Sequence, residues 1–349
     1  MKKSSSKILL LIIIVVIIVG LSIAAVFMLN SNKTEDTNNG GQQVATSGSS
    51  YDGTAELGTP MEFTINKVTL PEKVGYQQSF EVDGNTWYYS LDAEGNAINI
   101  YTYGDFSGDV IIPDMLDGHK VISIGKIPTT TQNTLFYTSL GGEQYWNNIT
   151  SITVPEGVKY INPEAFYGFD NLKTVTLPDS IIYIGSSAFE SCKNLESINS
   201  DIPGKVVMPK NLQYYGESLF RGTYKINAFE FPEQINYIQS WTFYETHGFS
   251  DVTIPGQFKY IGIGAFASSD TTSLTVEEGV QIIGNSAFTM NKELTRVNLP
   301  NTVQSIGTDA FSLCTLLNEF NYNGKLSYIG KKVFDYTNVK DALASNQLP

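Results

Sequence analysis

The feature that most constrains this chain is a phenylalanine that keeps returning. Phe166, Phe189, Phe220, Phe243, Phe266, Phe288, Phe311 and Phe334 each stand eleven residues after Pro155, Pro178, Pro209, Pro232, Pro255, Glu277, Pro300 and Asn323 respectively. The step between units is 22 or 23 residues, except one of 31 that carries an eight-residue insertion near residues 201–204. A fixed period of this size is the signature of a solenoid. A unit so short cannot bury its own apolar edge, so the next unit must cover it.

Counting each unit from its proline position, −3 and −1 are apolar in all eight units, as in Val175 and Leu177, while their neighbours are mostly small and polar, as in Thr174 and Thr176. That alternation describes a short strand buried on one face. Proline then ends the strand, having no N–H for a ladder. Position +3 is apolar throughout, +6 is Ile in seven units, and +7 is Gly in six, with Asn162 and Gln239 as exceptions. A glycine-rich site that admits Asn suggests a corner with positive φ. The segment SSAFESC, residues 186–192, is expected to form one helical turn opened by Ser, with Phe189 filling the interior. The expected fold is therefore a β-rich α/β solenoid with a short strand and a helical turn in each repeat. Each buried Phe contributes roughly 1.5–3 kcal/mol, and eight laps about 4.8 Å apart give a body roughly 40 Å long.

The strings NLKTVTLPDSIIYIGSSAFESCKNL and ELTRVNLPNTVQSIGTDAFSLCTLL resemble BspA-type leucine-rich repeats, and the resemblance runs from about Asn148 to Tyr336. The segment GDVIIPDMLDGHKVISIG, residues 108–125, is similar to the divergent first repeat of that family, which a hairpin precedes. Here the Ala-Phe pair does not follow. An insertion from Lys126 to Asn147 intervenes, with Leu135-Phe136 as the displaced equivalent. The resemblance implies a surface-exposed, protein-binding or adhesive role and no catalytic residues.

Ahead of the repeats, a run without a charge starts at Ile8 and ends at Leu29, long enough to cross a bilayer as a helix. Lys2, Lys3 and Lys7 precede it, so residues 1–7 are expected in the cytoplasm and the bulk of the chain outside, as a single-pass cell-membrane protein. A cleaved signal peptide is the rival reading, but its apolar core is shorter. Gly20 and Ala24 have the spacing of a helix-pairing motif. Residues 30–53 are too polar for a core and read as a flexible linker. Residues 54–107 form an N-terminal β region or cap, in which MEFTINKVTL (residues 61–70) alternates like a strand and residues 85–103 read as a hairpin around Asp92. Asp92, Glu94 and Asn96 lack the glycine and the closing Glu of a calcium loop. Residues 108–147 hold the divergent repeat and its insertion, 148–337 the solenoid, and 338–349 a C-terminal tail.

From Asn30 onward the chain has 35 acidic and 19 basic residues, a net of −16. Such an exterior does not suit nucleic acid, whose phosphates need basic contacts. His119 and His247 share no repeat position, and no acid–base pair recurs, so neither a catalytic site nor a metal or other cofactor is expected. A hydrolase is the remotest reading. Cys192 and Cys314 both stand at +14 but five laps apart, about 24 Å at 4.8 Å per lap. A disulfide needs Cα atoms within about 7 Å, so two buried free thiols are expected.

Two surfaces stand out as candidates for a partner. Position +5 is Tyr in six units, including Tyr160, Tyr183, Tyr214, Tyr237 and Tyr260. Lying between two inward positions it should point outward, either as a stacking ladder or as a contact stripe. The outward strand positions, the usual ligand face of a repeat array, include Lys205, Glu230, Asp251 and Arg296 among Thr and Asn. The expected function is a membrane-anchored leucine-rich-repeat protein that binds or adheres to an extracellular protein. A spacer or presenting scaffold without a ligand of its own is the alternative.

Overall fold

Each lap of the coil is two short strands followed by a run of turns. A computed structural model describes residues 53–103, 106–125, 148–349 and, for the backbone alone, 136–137. The first pass is the strand that ends at the proline, as in Thr174–Thr176, Asp251–Ile254 and Arg296–Asn298. The second is a two-residue strand at +5 and +6, as in Tyr183–Ile184 and Tyr260–Ile261. Both kinds pair in parallel with their equivalents in neighbouring laps. The third pass carries the Phe. There the N–H groups at +9, +11 and +13 donate to carbonyls of the following lap: Ser187 to Glu217 at 2.8 Å, Phe189 to Leu219 at 3.1 Å and Ser191 to Arg221 at 2.7 Å. The intervening N–H groups close short turns within the lap, such as Glu190 to Ser187.

The expected helical turn therefore does not form, and the fold is a β-solenoid. Among the described residues there is no α-helix, and helical structure is confined to 3-10 turns such as Ser345–Gln347. The reason lies in the backbone. Positions +9 and +13 have positive φ in every lap, for example Ser187 at 57° and Ser191 at 61°, or Asp309 at 57° and Leu313 at 62°. Two left-handed residues four apart break an α-helix, which is built from right-handed residues. They turn alternate N–H groups toward the next lap. All eight Phe rings are buried, and neighbouring rings stack with centroids 5.0–6.1 Å apart.

The membrane-spanning helix and the single-pass cell-membrane placement drawn from it are not upheld. No helix among the described residues is long and apolar enough to cross a membrane. The run at residues 8–29 lies outside the described residues, as do 1–7 and 30–52.

The glycines at +7 serve close approach, not positive φ. Gly185, Gly216, Gly262, Gly284, Gly307 and Gly330 all lack a left-handed φ, yet a Cβ on any of them would meet the preceding lap. On Gly185 it would lie 2.3 Å from the Pro163 nitrogen. The two exceptions mark discontinuities. Asn162 stands where the first full lap meets the cap, and its buried amide donates to Asn99 Oδ1, Ser123 Oγ and the Gly125 carbonyl. Gln239 stands where the second-pass sheet breaks, between Tyr214–Tyr215 and Tyr237–Ile238. Tyr215 replaces the usual Ile at +6, and its hydroxyl sits in the break, accepting from Gln239 N at 2.8 Å and donating to the Tyr237 carbonyl. The first-pass sheet breaks one lap later, between Ala228–Glu230 and Asp251–Ile254. Phe229, Phe231, Phe249 and Phe258 pack together there. The eight-residue insertion adds a rung to the first-pass sheet, Ser197–Ile198, between Thr174–Thr176 and Lys205–Val207.

Both ends of the coil are closed. The N-terminal cap is a three-stranded antiparallel meander, Val74–Val82, Asn85–Leu91 and Ala97–Tyr103, which continues the second-pass sheet through Ser123–Ile124. Gly108–Ile111 pairs in parallel with Ile149–Thr153, and Ser123–Ile124 with Tyr160–Ile161, so these two segments of residues 108–125 take first-pass and second-pass positions ahead of the first full lap. Phe136–Tyr137 joins the cap strand at Thr102 and Tyr103, which does not match a displaced Ala-Phe in the lap ladder. At the other end Leu57–Gly58 pairs antiparallel with Tyr328–Ile329, and Val339, Leu343 and Leu348 of the expected tail are buried. The chain thus enters at the last lap and runs back to the cap. Residues 61–70 form this crossing, and they alternate in burial over Met61 to Ile65 without joining a sheet.

Candidate partner-binding surface

The first-pass face presents two columns of side chains. Register places Asp251, Ser273, Arg296 and Glu319 in one column, at −4, and Thr253, Thr275, Asn298 and Asn321 in the other, at −2. The parallel ladder is what aligns them: −3 and −1 face the core, so −4 and −2 must face out. Side chains pair along each column. Arg296 makes two contacts with Glu319, at 2.5 and 3.3 Å. Ser273 donates to Asp251, and Asn321 to Asn298 at 2.8 Å. The Glu319 carboxyl is held below its usual range, and the Arg296 guanidinium above its own, first by their hydrogen bonds and then by their opposite charges. On the other side of the sheet break Lys205 pairs with Glu230. The four charged candidates are therefore all exposed or half-buried on one face, each engaged by a neighbouring lap. Around them Thr174, Thr176, Thr253 and Thr275 are exposed.

The tyrosines lie on the second-pass face and are less open than expected. Tyr160, Tyr183 and Tyr214 are aligned in register and half-buried, and the rings of Tyr183 and Tyr214 stack at 5.4 Å. Tyr237 is buried, its ring stacked on Tyr215 at 5.4 Å. Phe63, from the segment that returns to the cap, stacks on Tyr260 at 5.2 Å and touches Tyr237. Burial raises the phenol pKa of all five.

Elsewhere the polar groups serve the fold. Asp92 Oδ1 accepts from the backbone of Glu94 and Asn96, which closes the cap turn. Partial burial opposes ionisation of Asp92, but these bonds and that from the Asn96 amide prevail and lower its pKa. Among the described residues no group of three His, Cys, Asp or Glu side chains could hold a metal. Cys192 and Cys314 are free and buried, each donating S–H to the Phe carbonyl at +11 of the preceding lap at 3.1 Å. Burial pushes the Cys314 thiol up to about 12 and moves Cys192 the same way. Thr223, Ser269, Asn291 and Thr337 take the same +14 position and bond to Phe carbonyls, so the column is structural.

Reading single residues missed three partners: Glu319, Ser273 and Phe63. The first two were legible as the −4 positions of neighbouring laps. Phe63 lies outside the repeat and carried no such signal.

The family model described as "BspA type Leucine rich repeat region" matches in six copies, over residues 143–270, 204–299 and 242–348. The chain belongs to the BspA-type leucine-rich repeat family. It is a repeat scaffold of that family, a class that suggests protein binding or a cell-surface role. No curated protein matches it. Among solved structures it is similar to a leucine-rich cell surface protein from Faecalibacterium prausnitzii A2-165, at 21% identity over 71% of this chain and 77% of that one, TM-score 0.42. It is also similar to the leucine-rich repeat protein of T. pallidum, at 23% identity over 66% and 87%, TM-score 0.41. The pneumococcal vaccine antigen PcpA is similar at 20% identity over 71% and 82%, TM-score 0.34.

Proposed function

We propose that this BspA-type repeat protein works at the cell surface in protein binding or adhesion, and that its first-pass face receives an extracellular protein. The observation that carries the reading is the pair of outward columns at −4 and −2. From Asp251 to Asn321 they form a polar lattice along the coil, fixed by lateral pairs. A lattice held this way loses little side-chain freedom when a partner docks, which favours binding. The other sheet face is crossed by the chain's own residues 59–73.

The lateral pairing also favours the second reading, a spacer with no ligand. Lys205 with Glu230 and Arg296 with Glu319 neutralise each other, so they can simply hold the coil together. Capture separates the two. The purified protein, immobilised and exposed to host and bacterial surface proteins, should retain a defined protein, and prior binding of that protein should protect Thr253 and Thr275 from footprinting. Capture of nothing supports the spacer.

A further inference from the structure

The segment at residues 59–73 crosses the second-pass face with no hydrogen bond or ion pair among the described residues. Its ends are fixed. Leu57–Gly58 pairs with the last lap, and Val74 begins the cap meander. Between them only apolar contacts hold it, chiefly Phe63 on Tyr260 and Tyr237, and Ile65 on the core. An unbonded middle between bonded ends is the kind of element that opens first. Beneath it lies a cost: the Tyr237 hydroxyl is buried with no hydrogen-bond partner. The Tyr215 backbone acts on it without reaching hydrogen-bonding geometry. An orphaned buried hydroxyl penalises the arrangement that buries it, and Phe63 of this segment packs against the ring that carries it.

The cover also shows what the face accepts. Met61, Phe63 and Ile65 are half-buried while Glu62, Thr64 and Asn66 are exposed, so an extended chain turns every second side chain inward, Phe63 onto the tyrosines and Ile65 onto the core. We propose that residues 59–70 are a releasable strap, and that the tyrosine face beneath takes, once the strap lifts, an extended partner segment with apolar side chains at alternate positions. This stands apart from the first-pass face and does not depend on it.

The test uses the full chain and a labelled peptide of residues 59–70, TPMEFTINKVTL. Phe63→Ala in the protein weakens the competing strap, so the peptide should bind at least tenfold more tightly than to the unsubstituted chain. Adding Tyr260→Ala should abolish that gain. Thermal melts of each variant confirm that the laps are intact, and Ile65→Ala replaces Phe63→Ala should that variant fail to fold. Tyr237→Phe removes the orphaned hydroxyl and should slow tryptic cleavage at Lys67 about tenfold by holding the strap down. The proposal is overturned if the peptide binds the loosened chain no better, if Tyr260→Ala leaves its binding intact, or if Tyr237→Phe fails to slow cleavage.

Discussion

Gly185 tests how the laps are held together. Its φ is ordinary, and a Cβ there would sit 2.3 Å from the Pro163 nitrogen and 2.6 Å from the Pro163 Cα and Cδ. Real Cβ atoms need about 1 Å more. The obstacle is a proline ring and its backbone, which cannot rotate away, so laps one and two must separate. That strains the Gly185 N–H bond to the Ile161 carbonyl, 2.8 Å long. Overpacking of this kind costs about 1–3 kcal/mol, and a weakened hydrogen bond about 0.5–1.5 kcal/mol. The lower entropy of an unfolded chain with Ala returns about 0.4–1 kcal/mol. Gly185→Ala should therefore destabilise by about 2–3 kcal/mol in equilibrium urea melts. Asn separates the two explanations, because it tolerates positive φ but is bulkier. If the glycine provides space, Gly185→Asn costs at least as much as Ala. Gly168 is the opposite case, with φ of 75° and nothing within 4 Å of its Cβ; there Asn should cost less than Ala. A Gly185→Asn variant more stable than Gly185→Ala would refute the close-approach account.

Other outcomes follow from the same packing. Phe266→Ala should cost about 3–5 kcal/mol, and Phe334→Ala less, because Phe266 stacks on rings in both neighbouring laps and Phe334 on one; equal losses in denaturant melts would contradict this. Glu190 is largely buried, and its pKa is raised, first by burial and further by Glu164 and Glu245, against the lowering effects of Ser187 and Arg221. Between its unfolded and folded pKa values the native state binds more protons, so its contribution to stability falls as pH rises through that interval. Glu190→Gln should therefore raise the melting midpoint at pH 7 relative to its effect at pH 4; an equal effect at both would count against it. Cys192 and Cys314 should resist a thiol reagent in the native state and react fully in denaturant, which a colorimetric thiol assay measures.

The core was legible and the connections between laps were not. Phe at +11, Ile at +6 and the apolar pair at −3 and −1 point inward because their spacing leaves no other face. The third pass misled. Left-handed φ at +9 and +13 is taken up by Ser187, Trp241, Asp309, Lys332, Met290 and Leu313 as well as by glycine, so no residue type announces it. Its N–H groups are satisfied by carbonyls one lap away, which a single unit of sequence does not contain. The glycine at +7 was visible and its reason was not, since close approach depends on the neighbouring backbone. Charges suffered the same way. Arg296 and Asp251 read as isolated outward residues, whereas parallel register gives Arg296 to Glu319 and Asp251 to Ser273. Residues 61–65 alternate as a strand does, but the alternation serves a crossing over the tyrosines.

The affinity of a captured extracellular protein for variants of the first-pass face tests the functional account most directly. Thr253→Arg and Thr275→Arg place bulk and charge on the exposed −2 column without touching the core. Tyr167→Arg does so on the third pass, where the ring is 42% exposed. Surface plasmon resonance should show Kd rising tenfold or more, about 1.4 kcal/mol, for the two threonine variants and staying within twofold for Tyr167→Arg. A partner whose affinity ignores the −2 column, or responds only to Tyr167→Arg, would contradict the first-pass face as the binding surface.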